Sequence, residues 1–156
     1  MIAAAMPGYH AGMLAALQNR ETRSCSPVLT GASAPEPQEN TMINRADALE
    51  CFEKELFGGP GAVHFTKIVD ENGLAGKGRL FNIGTLKPGC AVGNHKHNGE
   101  IEIYYILEGE GIYNDNGVES SIKAGDVTVC NDGESHALLN TGSTDLKMVA
   151  LILFTK

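Results

Sequence analysis

Three residues near the middle of the chain have types and spacings that suit a metal ion. His95 and His97 are two residues apart. On a strand, both imidazoles would leave the same face, with Cα atoms about 7 Å apart. The following dipeptide, Asn98-Gly99, is typical of a tight hairpin, so we expect the chain to return antiparallel with Glu102 opposite the two histidines. This arrangement predicts a site where two imidazoles and one carboxylate reach a single ion.

A third histidine would complete this site. His136 follows the turn dipeptide Asp132-Gly133, and we expect it to approach from a later strand. Three imidazoles and one carboxylate leave two positions of a six-coordinate ion for water or substrate, and open positions are typical of catalytic rather than structural metals. The pattern therefore predicts one divalent metal ion as cofactor, with Mn or Fe favoured and Ni or Zn as alternatives.

The spacing of these residues resembles the two sequence motifs of the cupin family. Residues 89–109 fit G-x5-H-x-H-x4-E-x6-G, and residues 125–140 fit G-x5-P-x-G-x2-H-x3-N. One departure is Asn131, which stands where the family usually has proline; both residue types form turns. The resemblance covers about residues 61–154. It implies an all-β cupin barrel (a double-stranded β-helix or jelly roll) with His95, His97, Glu102 and His136 as metal ligands.

The pattern after residue 60 is one of short strands separated by turn residues, which is typical of a barrel or sandwich. Strands are predicted at Val63–Val69, Arg79–Leu86, Ile101–Leu107 and Leu146–Phe154. The last of these is apolar on both faces, so we expect it to be central or covered on each side. A further tight hairpin is predicted at Asn116-Gly117.

Two other side chains are candidates for contact with a substrate. By strand parity Tyr104 shares the face of Glu102; it would be a catalytic or substrate-binding residue, or else part of the pocket wall. Arg79 would bind a substrate carboxylate if its strand face lines the barrel, and would be a solvated charge if that face is outward. Glu100 lies at the turn, and we expect it to be solvated.

The N-terminal part of the chain differs from the rest. Residues 1–41 are rich in Ala, Pro, Ser, Thr and Gly, which predicts a disordered tail or linker upstream of a functional start at Met42, with a transit peptide as the alternative. From Asn44 the pattern becomes helical and ends at Gly58-Gly59-Pro60. We therefore expect a short N-terminal helix of about three turns within residues 42–60, and the cupin domain in residues 61–156. The apolar positions on its face are Ala48, Leu49, Phe52 and Leu56.

Composition and charge exclude several classes of partner. The net charge of -7 and the scattered Lys and Arg residues argue against nucleic acid, and no apolar run is long enough to span a bilayer. The four cysteines form no CxxC pair and the first residues fit a secretory signal badly, so we expect free thiols and a cytoplasmic location. The apolar set Ile101, Ile103, Tyr105 and Leu107 suits a covered outer sheet, which predicts a homodimer.

The cupin resemblance narrows the function without fixing it, because the fold serves many chemistries. We expect a metal-dependent enzyme, of the decarboxylase, dioxygenase, lyase or isomerase type, that acts on a small oxygenated and carboxylate-bearing molecule. Oxalate decarboxylase-like cupins are the group most resembled. The alternative is a non-catalytic cupin that uses its ion to capture a sugar or a carboxylate. In both cases the partner is a small-molecule ligand.

Overall fold

The structure, a computed structural model of the chain, describes residues 42–156. These residues form ten strands joined by short turns, and all pairings between the strands are antiparallel. The strands are β1 (Cys51–Lys54), β2 (Val63–Val69), β3 (Gly78–Leu86), β4 (Ala91–Lys96), β5 (Glu100–Glu108), β6 (Glu110–Asp115), β7 (Val118–Lys123), β8 (Val127–Cys130), β9 (Ser135–Leu139) and β10 (Leu146–Phe154). The predicted all-β architecture is confirmed.

The strands divide into two sheets that enclose one core. The larger sheet has the order β1-β2-β3-β10-β5-β8 and the smaller has the order β4-β9-β6-β7. Leu86 and Ile106 of the larger sheet and Leu138 of the smaller one are fully buried in a single apolar cluster. Removing these side chains from water is the main force that holds the sheets together. The same interior carries the metal-ligand candidates at one end.

The strand predictions agree closely with the structure. β2 and β10 have the predicted bounds, and β3 and β5 extend the predicted strands by one residue at one or both ends. β10 lies between β3 and β5, which confirms its central position. The predicted hairpin at Asn116-Gly117 joins β6 to β7, with both turn residues at positive φ (48° and 94°), as a type I′ turn requires.

The hairpin expected at Asn98-Gly99 is wrong. β4 pairs with β9, whereas β5 pairs with β10 and β8, so this turn carries the chain from one sheet to the other. Gly99 has a positive φ of 75°, and its N–H donates to Asp132 Oδ1 at 2.7 Å in the loop before β9. Glu102 therefore faces the histidines across the interior between two sheets rather than along one strand pair.

The three-turn helix expected within residues 42–60 is also wrong. One 3-10 turn, Ala46–Ala48, is followed by strand β1, which pairs with β2. Phe52 packs on Phe65 of β2 with ring centroids 5.3 Å apart. A helix of this length is marginal in water, whereas the free edge of β2 offers both backbone hydrogen bonds and an apolar partner.

Three further expectations concern the tail, the cysteines and membranes. The tail or linker predicted for residues 1–41 lies outside the described residues. Of the cysteines in the described part of the chain, Cys90 and Cys130 are free thiols. Within residues 42–156, no helix has the length and apolar character needed to cross a membrane.

Candidate metal centre

The four predicted ligands meet at one end of the interior. His95, His97, Glu102 and His136 each offer one ligand atom, and these atoms lie within 4.8 Å of one another. The Nε2 atoms of the histidines are 3.1–3.2 Å apart in every pair. Glu102 Oε2 is 2.9 Å from His136 Nε2 and 3.2 Å from His97 Nε2. We call this group the His3Glu cluster; it can hold one metal ion.

The smaller sheet positions the three histidines. His95 on β4 lies directly opposite His136 on β9 in the strand pairing, which places both imidazoles on one face. His97 follows the end of β4, where its N–H donates to Glu134 O at 3.0 Å and its C=O accepts from Gly133 N at 2.9 Å. The backbone that carries each imidazole is therefore fixed by hydrogen bonds to a neighbouring segment.

The larger sheet supplies the carboxylate. On β5 the residues Glu102, Tyr104 and Ile106 are buried, whereas Tyr105 and Leu107 are exposed. This confirms the predicted strand parity. Glu102 projects inward near the start of β5, just after the Asn98-Gly99 turn that carries the chain between the sheets. It therefore reaches the histidines of the other sheet.

Each histidine is held from outside through its Nδ1 atom. The partners are Gly93 O for His95 (3.0 Å), Glu100 Oε1 for His97 (2.8 Å) and the Tyr113 hydroxyl for His136 (2.9 Å). A carbonyl oxygen and an ionised carboxylate only accept hydrogen bonds, so His95 and His97 carry a proton on Nδ1. When neutral, both rings then direct the Nε2 lone pair into the cluster. The Tyr113 hydroxyl can accept from His136 in the same way.

This donor arrangement fits a metal ion. Lone pairs that face one another at 3.1–3.2 Å repel unless a cation lies between them. Glu102 Oε2 is buried and receives no hydrogen bond, which is costly for a carboxylate in a protein interior. One divalent ion would satisfy all four groups, and imidazole with carboxylate suits Mn, Fe, Ni or Zn.

The ionisation of the cluster favours cation binding. Burial raises the pKa of Glu102, but its contacts with the three imidazoles lower it, and the resulting pKa lies well below the usual value. Contact with Glu102 raises the pKa of His97, an effect larger than the opposing burial. Burial lowers the pKa of His136. The carboxylate is therefore ionised at neutral pH and adds negative charge where a cation would bind.

Glu100 links Arg79 to His97. Arg79 Nε donates to Glu100 Oε2 at 2.7 Å, and Arg79 Nη2 donates to Oε1 at 2.6 Å. Glu100 is only 12% exposed in its side chain, so the expectation that it is solvated is wrong. Hydrogen bonds from Arg79 lower the pKa of Glu100, with His97 adding to the effect. This carboxylate is the outer partner of a metal-ligand candidate.

Arg79 lies at the edge of this site. Burial alternates along β3 and places Arg79 on the outward face. Of the two alternatives that the sequence left open, this is the one in which Arg79 does not line the barrel. Its guanidinium forms a bidentate ion pair with the Glu100 carboxylate rather than pointing into the interior. Binding of a substrate carboxylate by Arg79 stays a prediction.

Tyr104 lies against the cluster. It is buried, and its ring centroid is 5.2 Å from that of His136. Burial raises its pKa well above the usual value, and the charge of Glu102 adds to the shift. The hydroxyl is therefore protonated at neutral pH. Its role as a catalytic or substrate-binding residue stays a prediction.

Two residues at the site were missed by the sequence interpretation. Tyr113 on β6 is buried and bonds to His136, and burial raises its pKa to about 12. Phe57 stacks on His95, with ring centroids 3.9 Å apart and planes 7° from parallel. Strand alternation along β6 could have indicated an inward Tyr113, but no local pattern connects Phe57 to a histidine on another segment.

The second motif positions His136 through its turn. The Asn131 backbone and side chain both donate to Glu134 Oε2, at 2.8 and 3.0 Å, so asparagine closes the turn where the family usually has proline. At the end of the motif, buried Asn140 donates to Leu86 O and Thr144 O at 2.8 Å. These residues fix the backbone on both sides of β9.

Comparison with known proteins agrees with this fold and cluster. The family model of the cupin domain matches residues 82–152. An oxalate-binding protein of Thermotoga maritima is 50% identical over 96 residues, which cover 62% of this chain and 79% of the relative. The chain belongs to the cupin family.

Solved structures extend the comparison. A Thermotoga maritima protein crystallised as a predicted oxalate decarboxylase is 44% identical, with a TM-score of 0.69 over 72% of this chain and 99% of that protein. A Klebsiella pneumoniae protein with a double-stranded β-helix domain is 19% identical, with a TM-score of 0.55 over 72% of this chain and 90% of that protein. The second likeness concerns the fold alone.

Proposed function

We propose that the protein is a metal-dependent cupin that binds a small carboxylate, with oxalate as the first candidate. The observation that carries this proposal is the His3Glu cluster, in which three imidazole nitrogens converge on a buried carboxylate oxygen that receives no hydrogen bond. Four protein ligands leave positions on a six-coordinate ion for two carboxylate oxygens. The name of the 50% identical relative, an oxalate-binding protein, supports the choice of oxalate.

The charges around the cluster make binding of an anion dependent on the ion. Glu102 and Glu100 are ionised, and the whole chain has a net charge of -7. A dianion would be repelled by these groups in the absence of a cation. When bound, the divalent ion supplies the positive charge and acts as a Lewis acid. The role of the chain is to hold that charge in place and to orient the ligand.

Binding without turnover is favoured by the state of the neighbouring groups. Glu100 is held by Arg79 and His97, and the Tyr113 hydroxyl is held by His136. Glu100 is ionised and has no proton to give, and the Tyr113 hydroxyl lies at the outer nitrogen of His136, away from the ligand atoms. The function that these contacts support best is therefore metal-assisted capture.

A metal-dependent enzyme is the second candidate. Tyr104 supports it, because its protonated hydroxyl belongs to a side chain packed against His136 and could donate a proton to a reacting carboxylate. The reaction would be of the decarboxylase, dioxygenase, lyase or isomerase type. Mn or Fe is the proposed ion, with Ni or Zn as alternatives.

Metal analysis followed by oxalate titration tests the proposal. We expect one divalent ion per chain by elemental analysis, and calorimetric binding of one oxalate that disappears after chelation. Release of carbon dioxide from oxalate would favour the enzyme, whereas binding without release would favour capture. Absence of oxalate binding to the metal-loaded protein would contradict the proposal.

A matched pair of variants tests the ligand assignment. His97→Ala should abolish stoichiometric metal binding, because the remaining ligands lose one imidazole and the contact with Glu100. His64→Ala is the control, since His64 lies on β2 outside the cluster. Full metal occupancy in His97→Ala by elemental analysis would contradict the assignment.

The apolar outer face of the larger sheet supports a homodimer, which we include in the proposal together with a cytoplasmic location. Tyr105 and Ile103 of β5 pair with Val127 and Val129 of β8. Of these, Tyr105, Val127 and Val129 are exposed. Contiguous exposed apolar groups mark association surfaces. Sedimentation at micromolar protein should give a dimer mass, and a monomer mass would contradict this part of the proposal.

A further inference from the structure

Phe57 has an unusual conformation for an aromatic residue on a protein surface. It lies in the segment between β1 and β2, has a positive φ of 53°, and is 56% exposed. A residue with a bulky side chain rarely adopts positive φ, and strain of this kind is concentrated at functional sites. Its ring lies flat on His95, with centroids 3.9 Å apart and planes 7° from parallel.

The backbone of one residue fixes both members of this stack. Gly93 N donates to Leu56 O at 3.1 Å, and Gly93 O accepts from His95 Nδ1 at 3.0 Å. A Cβ atom at Gly93 would lie 2.2 Å from Phe57 O, so only glycine permits this approach. Gly59 N also donates to Leu56 O at 3.0 Å. Phe57 is therefore a fixed part of the site rather than a mobile flap.

His95 is the ligand candidate that is most open to solvent. Its side chain is 9% exposed, against 5% for Glu102 and 1% for both His97 and His136. The most exposed part of the cluster is therefore the His95 ring. Phe57 covers a face of that ring, so its own side chain borders this exposed part.

We propose that Phe57 is a specificity-determining residue: a fixed aromatic wall at the entrance to the His3Glu cluster that admits small carboxylates and excludes bulkier ones. The same wall slows the escape of the ion to large chelators. This inference rests on the proposed function, because it requires an ion in the cluster and a carboxylate that reaches it. It goes beyond that function by assigning size selection to a residue that is not a metal ligand.

The test compares the wild-type protein with Phe57→Ala, both loaded with Mn²⁺. All four ligands remain in the variant, so its Mn²⁺ content should equal that of the wild type. Malonate and phenylmalonate chelate alike and differ by one phenyl group. The preference for malonate should fall by about tenfold in the variant, the scale on which a pocket discriminates by shape. Removal of Mn²⁺ by excess EDTA, followed as a rate, should become severalfold faster.

Three control variants separate the ring from other effects. Phe57→Tyr keeps an aromatic wall and should behave as the wild type. Phe57→Gly removes the ring and suits the positive φ, so it should match Phe57→Ala in both measurements. Val118→Ala truncates an exposed apolar side chain on β7 and should change neither measurement.

The outcomes distinguish this inference from the proposed function. An unchanged EDTA rate and an unchanged discrimination in Phe57→Ala, with wild-type Mn²⁺ content, would overturn the role of Phe57 and leave the function intact. If malonate does not bind the Mn²⁺-loaded wild type, the size-selecting role of Phe57 is overturned whatever the EDTA rate. A wild-type protein that holds no Mn²⁺ or other divalent ion would overturn both.

Discussion

At the scale of single residues, the metal-ligand candidates depend on groups that do not belong to the cluster. Glu100 accepts hydrogen bonds from both Arg79 and His97. A carboxylate on the outer nitrogen of a histidine fixes the tautomer, prevents rotation of the ring and makes the inner nitrogen a better ligand. The Tyr113 hydroxyl and the Gly93 carbonyl hold the other two rings. The three outer partners differ chemically, so they should contribute unequally to metal affinity.

The charged partner should contribute most. Glu100→Gln should weaken Mn²⁺ binding by about 10- to 100-fold, the range found when outer partners of metal ligands are changed. Competition against a fluorescent chelator measures the dissociation constant. Glu108→Gln is the matched control, because this residue of the same strand forms an exposed ion pair with Lys147 at 3.0 Å. Equal affinities for the two variants would contradict the role of Glu100.

Metal affinity should also depend on pH through His97. The pKa of His97 is raised, chiefly by Glu102, so a proton competes with the ion at pH values above the ordinary histidine pKa of about 6.5. Mn²⁺ binding should therefore weaken as the pH falls from about 8 to about 6. Calorimetric titration across this range measures the change. A dissociation constant that is independent of pH would show that no cluster proton is displaced.

At the scale of elements, the site exists because distant segments approach closely. The segment that carries Phe57 touches β4 at Gly93, where an added Cβ would also lie 2.7 Å from Gly59 N. The crossing turn at Asn98-Gly99 separates β4 from β5 and allows the two sheets to face each other with ligands between them. Both features concern contacts between elements rather than the conformation of one element.

The close approach at Gly93 should be costly to disturb. Gly93→Ala should destabilise the fold by about 3 kcal/mol, because the methyl group meets backbone atoms that cannot rotate away. Gly89→Ala separates steric clash from backbone strain: Gly89 has a φ of 79° and no atom within 4 Å of its added Cβ. That control should cost only about 1–2 kcal/mol. Urea unfolding measures both values, and equal costs would contradict the packing argument.

The sequence predicted those features that local spacing encodes. The ligands His95, His97 and Glu102 follow from a short motif, and the inward face of β5 follows from alternation. The pairing of β4 with β9 does not follow, because Asn98-Gly99 specifies a local backbone turn and not the sheet that each flanking strand joins. The segment before Phe57 has apolar residues that fit a helix, but pairing with β2 outweighs that weak preference.

At the scale of the whole molecule, the ion should stabilise the fold because its ligands come from both sheets. An ion that binds the folded chain alone, at a free concentration of 100 times its dissociation constant, adds about 2.7 kcal/mol to the free energy of unfolding. Scanning calorimetry of the Mn²⁺-loaded protein should therefore give a melting temperature several degrees above that of the chelated protein. His97→Ala should show no such difference. An equal gain in that variant would place the stabilising ion elsewhere.

The central position of β10 also affects synthesis of the protein. β3 and β5 are neighbours of β10 in the sheet but precede it in the chain. On the ribosome, the nascent chain therefore presents two sets of strands with open edges until β10 emerges and joins them. Unpaired edges of this kind template association with other chains. The period before β10 is added is thus when this protein is most exposed to misassembly, and when a chaperone that covers strand edges would protect it.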